Sequence, residues 1–506
     1  MRLDRAAGVL LHPTSLPSRY GIGDFGPAAH RYMHWLADAG VRWWQILPLH
    51  VPGPEFSPYS ARSTFAGNRY LISPDLLLAE GLLEPADLAE LPNFSPARVD
   101  YEKAIPFKRA ILRRAWRRFR RRPDDRLTVE LSSFRRRSPW LADYGLYAAL
   151  RQAHLGAPWY EWPVELALRR PGAIEAWREH NLEEVELQEF CQLLFARQWR
   201  ALADYAHQLG IQILGDLPLF MAYDSAEVWA HRELFQLDER GRPPVVAGVP
   251  PDYFSAQGQL WGNPLYDWKA LERSRYAWWI DRLRHLLESV DRIRLDHFRG
   301  FMAYWEVPAG SSSATAGRWR PGPGHRLFDV LRAELGGLPL VAEDLGDITP
   351  DVIALREWLD LPGMAILQFA FAPQPRSQFI PYLHEPHQVV YTGTHDNNTT
   401  VGWYRNEASE EERHFLRRYL ATDGHQIHWD LIRAALASVA RLAVIPHQDI
   451  AGVGSEGRMN TPGVSAGNWR FRLTEAMLAE ADQKRLAELI ELYGRAPKAP
   501  NPKEEA

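Results

Sequence analysis

Short apolar runs alternate with helical patterns along most of this 506-residue chain. Each run carries the apolar residues of a buried strand and ends in a polar or proline-containing turn, whereas the stretches between the runs have the periodicity of amphipathic helices. This alternation is typical of βα units, and eight parallel strands are the number that closes an α/β barrel. The sequence therefore predicts a (β/α)8 TIM barrel with candidate strands at residues 8–17, 41–50, 211–220, 292–298, 338–344, 364–371, 389–396 and 441–449.

The spacing between these candidate strands is uneven, which predicts insertions. About 160 residues separate the second strand from the third, far more than a simple connection needs. We expect one catalytic barrel over residues 1–495, with a mostly helical inserted subdomain at 51–195 and no separate C-terminal β domain. A second insertion at 221–275, rich in Pro, Gly and aromatic residues, is expected to include a loop over the cleft. The tail at 496–506 has the composition of a disordered segment.

Composition and charge exclude several classes of partner. The net charge of −4 gives no reason to expect nucleic acid or an anionic membrane. The basic segment 113–126 is interpreted as a solvated helix face whose arginines pair with local acids. The single cysteine, Cys191, fits a reducing compartment, and the chain shows neither a signal peptide nor an apolar run long enough to span a membrane. We expect a cytoplasmic monomer.

Three carboxylates follow directly on candidate strands. Asp296 ends RIRLD, Glu343 ends LPLVAE and Asp396 ends VVYTGTHD. The carboxyl ends of the strands meet at one mouth of an α/β barrel, where barrel enzymes keep their active sites. Three convergent carboxylates without a metal-binding motif indicate chemistry on a glycosidic bond, which with retention of configuration needs two carboxyl groups about 5–5.5 Å apart.

The neighbours of the three acids suggest different roles. Arg294 lies two residues before Asp296, so in a strand both side chains point to the same side, and the guanidinium would keep a nucleophilic carboxylate ionised. Glu343 follows a wholly apolar run, and burial beside other carboxylates would raise its pKa, as a general acid requires. Asp396, beside His395, could bind sugar hydroxyls and stabilise positive charge in the transition state.

Beyond this pattern, the motifs match those of a known family. RLDHFRG at 294–300, VAEDLG at 341–346 and YTGTHDNNTT at 391–400 resemble the amylomaltases, or 4-α-glucanotransferases, of glycoside hydrolase family 77. The resemblance extends from GVLLHPTSLPSRYGIGDFG near the start to MNTPG and GNW near the end, so it covers most of the chain. It implies a TIM barrel that transfers α-1,4-glucan segments by a retaining double displacement, with maltooligosaccharides and amylose as substrates and no cofactor.

The resemblance also implies roles for individual residues. Asp296 matches the nucleophile, Glu343 the general acid/base and Asp396 the stabiliser of the transition state. Further substrate-binding residues are implied in the same way. They are Arg294 and His395 around the nucleophile and the sugar hydroxyls, Asp216 as a supporting acid, Tyr59 as a ring that stacks on the sugar, and Tyr253, Phe254, Trp261, Asn263 and Phe369 as residues that line or overhang the cleft.

Residue chemistry alone leaves three alternatives open. An α-glucan hydrolase on the same scaffold would use the same carboxylates, because water can resolve the covalent intermediate instead of a sugar hydroxyl. A magnesium-dependent barrel enzyme would use Asp216, Asp296 and Glu343 as oxygen ligands. A glucan-binding protein without catalysis would keep the aromatic loops and release no product.

Overall fold

The computed structural model describes residues 3–251, 257–372 and 377–497. Eight of the strands in this part of the chain form one parallel sheet in the order β10-β11-β12-β1-β2-β3-β6-β9. The sheet closes on itself where the Ala342 amide of β9 donates to the Pro362 carbonyl, just before β10, at 3.0 Å. The strands are β1 Ala6–Leu10, β2 Trp43–Gln45, β3 Gln212–Leu217, β4 Val245–Val249, β5 Gln259–Pro264, β6 Arg292–Leu295, β7 Ala303–Pro308, β8 Arg318–Pro321, β9 Leu340–Ala342, β10 Gly363–Ile366, β11 Gln388–Tyr391 and β12 Leu442–Pro446.

The predicted barrel is confirmed, and each of the eight candidate segments overlaps one barrel strand. The barrel strands are almost completely buried because helices cover the outside of the sheet and side chains fill the inside. This explains why their sequences are near-continuous apolar runs and do not alternate between apolar and polar residues. The polar exceptions inside the barrel, such as Asp216 and Arg294, belong to the site described below.

Eighteen α-helices connect and cover the strands in the described residues. Several begin with a proline in the first turn, and others with a side-chain cap such as that of Asp124 on the Leu127 amide. The helices are α1 Pro27–Asp38, α2 Pro74–Ala79, α3 Tyr101–Arg121, α4 Asp125–Arg137, α5 Trp140–Ala153, α6 Val164–Ala167, α7 Pro171–His180, α8 Leu182–Gln208, α9 Ala226–Ala230, α10 Trp268–Arg273, α11 Ala277–Leu287, α12 His325–Leu335, α13 Pro350–Trp358, α14 Thr400–Asn406, α15 Glu410–Leu420, α16 Ile427–Ala437, α17 His447–Ile450 and α18 Glu480–Leu492.

The long connection between β2 and β3 holds helices α2 to α8. In the basic segment, Arg113 pairs with Glu184 at 2.7 Å and Arg120 with Glu186 at 2.8 Å, so these arginines do meet local acids. Helix α8 is continuous from Leu182 to Gln208 and leads directly into β3. The limits of the subdomain at 51–195 remain a prediction, since α8 crosses the second limit without a break.

A second, antiparallel sheet was not anticipated from the sequence. Its strand order is β5-β4-β7-β8. Strands β4 and β5 come from the predicted insertion at 221–275, whereas β7 and β8 follow the barrel strand that ends at Leu295. The two stretches therefore form one small sheet, and the limits of the insertion at 221–275 remain a prediction.

Arg495, near the end of the described chain, closes the floor of the barrel. Its guanidinium is fully buried and donates to backbone carbonyls alone, with no carboxylate within ion-pair distance in the described part of the chain. The six acceptors are the carbonyls of Ala6, Ala435, Leu436, Ser438, Ala440 and Arg441, at 2.7–3.4 Å. One side chain thus ties together β1, the end of α16 and the start of β12.

Across the described residues, every helix is too short or too polar to cross a bilayer.

Candidate active site

A buried arginine organises the mouth of the barrel. Arg294 lies in β6 directly beside Asp216 of β3 in the parallel register. Its Nη1 donates to both carboxylate oxygens of Asp216, at 2.9 and 2.8 Å, and its Nη2 lies 3.0 Å from Oδ1 of Asp296. Burial raises the pKa of Asp216, and the Arg294 guanidinium opposes that shift. One cation is therefore shared between two carboxylates.

Of these two carboxylates, only Asp296 is open to a ligand. The side chain of Asp216 is completely buried, whereas that of Asp296 is 27% exposed. The Asp296 amide donates to the Leu217 carbonyl of the neighbouring strand at 3.0 Å, which fixes the backbone at the end of β6. Asp296 thus presents a carboxylate that is held from behind by Arg294 and free in front.

Glu343 is held by backbone amides next to Asp296. Its Oε2 accepts from the His297 amide at 2.7 Å and its Oε1 from the Leu345 amide at 2.9 Å. His297 has φ +53°, in the left-handed region, and this turn directs its amide towards Glu343. Burial, together with the nearby Asp296 carboxylate, raises the pKa of Glu343 to about 7, although the positive charge of Arg294 acts to lower it. Near neutral pH this carboxyl can both give and accept a proton.

A stacked pair of rings joins the remaining predicted residues to this centre. The hydroxyl of Tyr59 donates to Asp216 at 2.7 Å, and its ring stacks on His395 with centroids 4.7 Å apart. Burial lowers the pKa of His395, so the imidazole is neutral at pH 7. Its Nε2 lies 3.4 Å from Oδ2 of Asp396, whose Oδ1 accepts from Nδ2 of Asn460 at 2.6 Å.

Trp261 and Asn263 lie on β5, at the edge of the small antiparallel sheet. The indole of Trp261 is 38% exposed and packs edge-to-face on the imidazole of His297, 4.9 Å away. Asn263 donates through Nδ2 to the Met221 carbonyl at 2.8 Å, so its amide nitrogen is used within the protein. Trp261 therefore offers an open ring beside the acids, and Asn263 supports the loop behind it.

Of the other predicted aromatic residues, only Phe369 lies within the described part of the chain. Phe369 follows β10 at the same mouth of the barrel and packs against Phe379, with ring centroids 6.0 Å apart. Tyr253 and Phe254 lie outside the described residues. The structure thus brings the three acids, Asp216, Arg294, Tyr59 and His395 into one cluster with Trp261 at its side.

Sequence reasoning gave no role to several groups that build this site. Asn460 and Trp469 reach Asp396 and His395 from the segment after β12. Both lie in motifs that resemble those of the family, MNTPG and GNW, and these motifs could have indicated that Asn460 and Trp469 belong to the site. The sequence gives no sign that the backbone amides of His297 and Leu345 bind Glu343, because every residue except proline carries such an amide.

The magnesium alternative needs carboxylate oxygens that are already used. Arg294 binds Asp216 through both oxygens and also contacts Asp296. Among the residues described by the structure, no three His, Cys, Asp or Glu side chains are grouped so that they could hold a metal ion. Two carboxyl groups of different character, with a neutral histidine and stacked rings beside them, fit acid/base and nucleophilic chemistry on a sugar.

Comparisons with known proteins identify the family of this chain. Residues 11–478 match the model of the glycoside hydrolase family 77, described as 4-alpha-glucanotransferase. The 4-alpha-glucanotransferase of Thermus thermophilus is 48% identical over 98% of this chain and all of its own length, and that of Synechocystis sp. is 48% identical over 97% of this chain and 98% of its own. The amylomaltase of Streptococcus agalactiae in complex with acarbose is 35% identical, with a TM-score of 0.95 over 98% of this chain and all of its own.

These matches extend over nearly the whole chain. The chain therefore belongs to glycoside hydrolase family 77, the 4-alpha-glucanotransferases, and has the enzymatic activity of that family.

Proposed function

We propose that the reaction is a retaining double displacement on α-1,4-glucans, with Asp296 as nucleophile. In the first step an oxygen of Asp296 attacks the anomeric carbon of the donor, and the glycosidic C–O bond breaks. Glu343 gives its proton to the departing 4-oxygen, so that the shortened chain leaves as an alcohol. The product of this step is a β-glycosyl ester on Asp296.

In the second step the 4-hydroxyl of an acceptor glucan attacks the same carbon. Glu343, now a carboxylate, takes the hydroxyl proton, and the ester bond to Asp296 breaks as the new α-1,4 bond forms. Two inversions restore the starting configuration. The observation that carries this proposal is the contrast between two adjacent carboxyls: Asp296 is paired with a guanidinium, whereas Glu343 has a pKa raised to about 7.

Asp396 and His395 are proposed to act on the sugar in the transition state. Charge develops on the ring oxygen and the anomeric carbon as the bond breaks. Asp396 is 46% exposed and fixed by Asn460 through Oδ1, so its Oδ2, beside His395, can bind sugar hydroxyls close to that charge. The neutral His395 donates a hydrogen bond without adding a positive charge that would oppose the reaction.

An α-glucan substrate is supported by the acarbose complex of the Streptococcus agalactiae relative and by the rings beside the acids. Sugars have apolar C–H faces, which pack well on aromatic rings, and Trp261 and Tyr59 offer such surfaces near Asp296. We expect the substrates to be maltooligosaccharides. The acceptor sugar should bind beside Trp261, in the position that the leaving sugar occupied during the first step.

Product analysis with maltotriose tests the proposal. A transferase converts maltotriose into glucose and a ladder of longer maltooligosaccharides, and the total number of reducing ends stays constant. Chromatography of the products and a reducing-end assay on the same sample measure both quantities. A rise in reducing ends in step with the loss of maltotriose would show hydrolysis and contradict transfer. A product of inverted configuration, seen by NMR at early times, would contradict the double displacement.

A further inference from the structure

A second cavity lies in the helical connection between β2 and β3, away from the acids. It has a volume of about 300 Å³, and its walls come from α3, α5, α8 and the turn at Arg69–Leu71. None of its residues contacts the carboxylates of the barrel mouth. The cavity is lined by Arg69, Arg109, Ala110, Leu112, Arg113, Gln152, Leu187, Gln188 and Cys191.

Three guanidinium groups face this cavity, and among the described residues that line it none is acidic. Arg113 pairs with Glu184, which stands behind the wall, at 2.7 Å. Arg109 donates through Nε to the hydroxyl of Tyr70 at 3.1 Å, and no described carboxylate lies within ion-pair distance of it.

Arg69 is likewise without a carboxylate within ion-pair distance among the described residues. It donates through Nη1 to Oε1 of the buried Gln188, and its Nε is buried without a partner among the described residues. Burial alone would raise the pKa of the Tyr70 phenol, but the nearby guanidinium groups of Arg69 and Arg109 lower it. The three arginines and Glu184 thus leave a surplus of two positive charges around the cavity.

The rest of the lining suits the body of a sugar. Leu112, Leu187 and Cys191 are buried and form an apolar floor, whereas Gln188 adds a buried amide. Arg109, Ala110 and Gln152 are exposed and form a rim through which a ligand can enter. A cavity of this volume lies at the small end of the range for ligand sites, roughly 300–1,000 Å³, which matches a monosaccharide and not a longer glucan.

We propose that this cavity binds a phosphate monoester of a monosaccharide. The fork of a guanidinium matches the oxygens of a phosphate and can bind it through two hydrogen bonds. A phosphate monoester carries between one and two negative charges near pH 7, which matches the surplus charge around the cavity. The sugar ring lies on the leucine floor, with Gln152 at the rim facing its hydroxyls, since the amide of Gln188 is used by Arg69 and Glu184.

Isothermal titration calorimetry with glucose 1-phosphate tests this site. We expect one molecule to bind per chain, and Arg109→Gln to weaken binding about tenfold, as for the loss of a charged hydrogen bond. Arg109 is exposed, so its removal leaves the fold intact. Arg117→Gln is the matched control: this arginine is exposed on the same helix and does not line the cavity, so the variant should bind as the unmodified protein does.

Other ligands and variants separate the parts of the proposal. Inorganic phosphate should bind more weakly than glucose 1-phosphate, and glucose should not bind at this site. Equal affinities of inorganic phosphate and glucose 1-phosphate would overturn the role of the leucine floor. No binding of glucose 1-phosphate, or equal weakening by Arg109→Gln and Arg117→Gln, would overturn the site itself. Binding that is lost in Asp296→Asn and kept in Arg109→Gln would place the ligand in the catalytic cleft and overturn it as well.

Discussion

Two buried arginines hold opposite ends of the barrel in different ways. Arg294 at the mouth is neutralised by the carboxylates of Asp216 and Asp296, whereas Arg495 at the floor is surrounded by six backbone carbonyls. A carboxylate bound by one guanidinium still has oxygen lone pairs that can react, and Asp296 presents them to the cleft. Carbonyl dipoles have no such chemistry, so Arg495 can only fix the backbone. The comparison predicts that changes at the mouth affect catalysis and changes at the floor affect stability.

The strongest test at the mouth is Asp296→Asn. An amide is a poor nucleophile, so turnover of maltotriose should fall about 10⁵-fold or more, as for removal of other catalytic nucleophiles. The melting temperature should change little and maltotriose should still bind, which calorimetry can measure. Asp329→Asn, an exposed change on α12, is the matched control and should leave turnover unaltered. Turnover near that of the unmodified enzyme in Asp296→Asn would refute its role.

Glu343→Gln should be the next largest effect, about 10³-fold on turnover of maltotriose, because general acid–base catalysis contributes on this scale. The variant also permits a chemical rescue. A maltosyl fluoride donor needs no proton on its leaving group, and azide as acceptor needs no base. With both, the variant should recover most of the rate of the unmodified enzyme, measured by fluoride release. An equal loss with maltotriose and with the fluoride would show that Glu343 only supports the fold.

At the floor, Arg495→Lys should destabilise the protein without slowing the reaction. Lysine has three donors on one nitrogen, so it cannot keep the six carbonyl contacts that the guanidinium makes. We expect a loss of about 3 kcal/mol in the free energy of unfolding, measured by urea titration. Turnover per folded molecule at 25 °C should stay within about twofold. Arg136→Lys, on the exposed face of α4, is the matched control. If Arg495→Lys slowed turnover and left the free energy of unfolding unchanged, Arg495 would affect catalysis and not stability, contrary to this prediction.

The smallest predicted effect is a decrease of kcat/KM on the alkaline side of the pH profile. In the proposed mechanism Glu343 must be protonated to start the reaction, and its pKa is raised to about 7, so the reactive form is present below that pH and is lost above it. The kcat/KM for maltotriose should therefore fall about tenfold per pH unit above pH 7. This decrease above pH 7 should be absent in Glu343→Gln. A profile that stays flat to pH 9 would show that another group supplies the proton.

The barrel could be predicted from sequence because its strands are buried on both faces. The run ending at Glu343 has no alternation, and the run ending at Asp296 is buried throughout although it includes Arg292 and Arg294. The division of roles followed from local neighbours: Arg294 two residues from Asp296, and apolar residues before Glu343. These relations act over a few residues, so the sequence displays them.

The remaining parts depend on contacts between distant segments. The small antiparallel sheet joins two segments on either side of β6, and its short strands have exposed, mixed residues such as Leu260 and Trp319. Asn460 meets Asp396 across 64 positions. Arg495 stands beside the predicted disordered tail and nothing around it indicates six carbonyl contacts. The limits of the insertions and the roles of the site residues remain predictions.

The way in which Glu343 is held has a consequence for how this enzyme can vary. Its two hydrogen-bond donors are backbone amides, of His297 and Leu345, and almost any codon at these positions encodes a residue with the same amide. The exceptions are proline and, at position 297, β-branched residues that disfavour the left-handed turn. The two hydrogen bonds to Glu343 should therefore persist in most point mutants of positions 297 and 345. Directed evolution can therefore change the side chains of positions 297 and 345 while Glu343 keeps both of its hydrogen bonds.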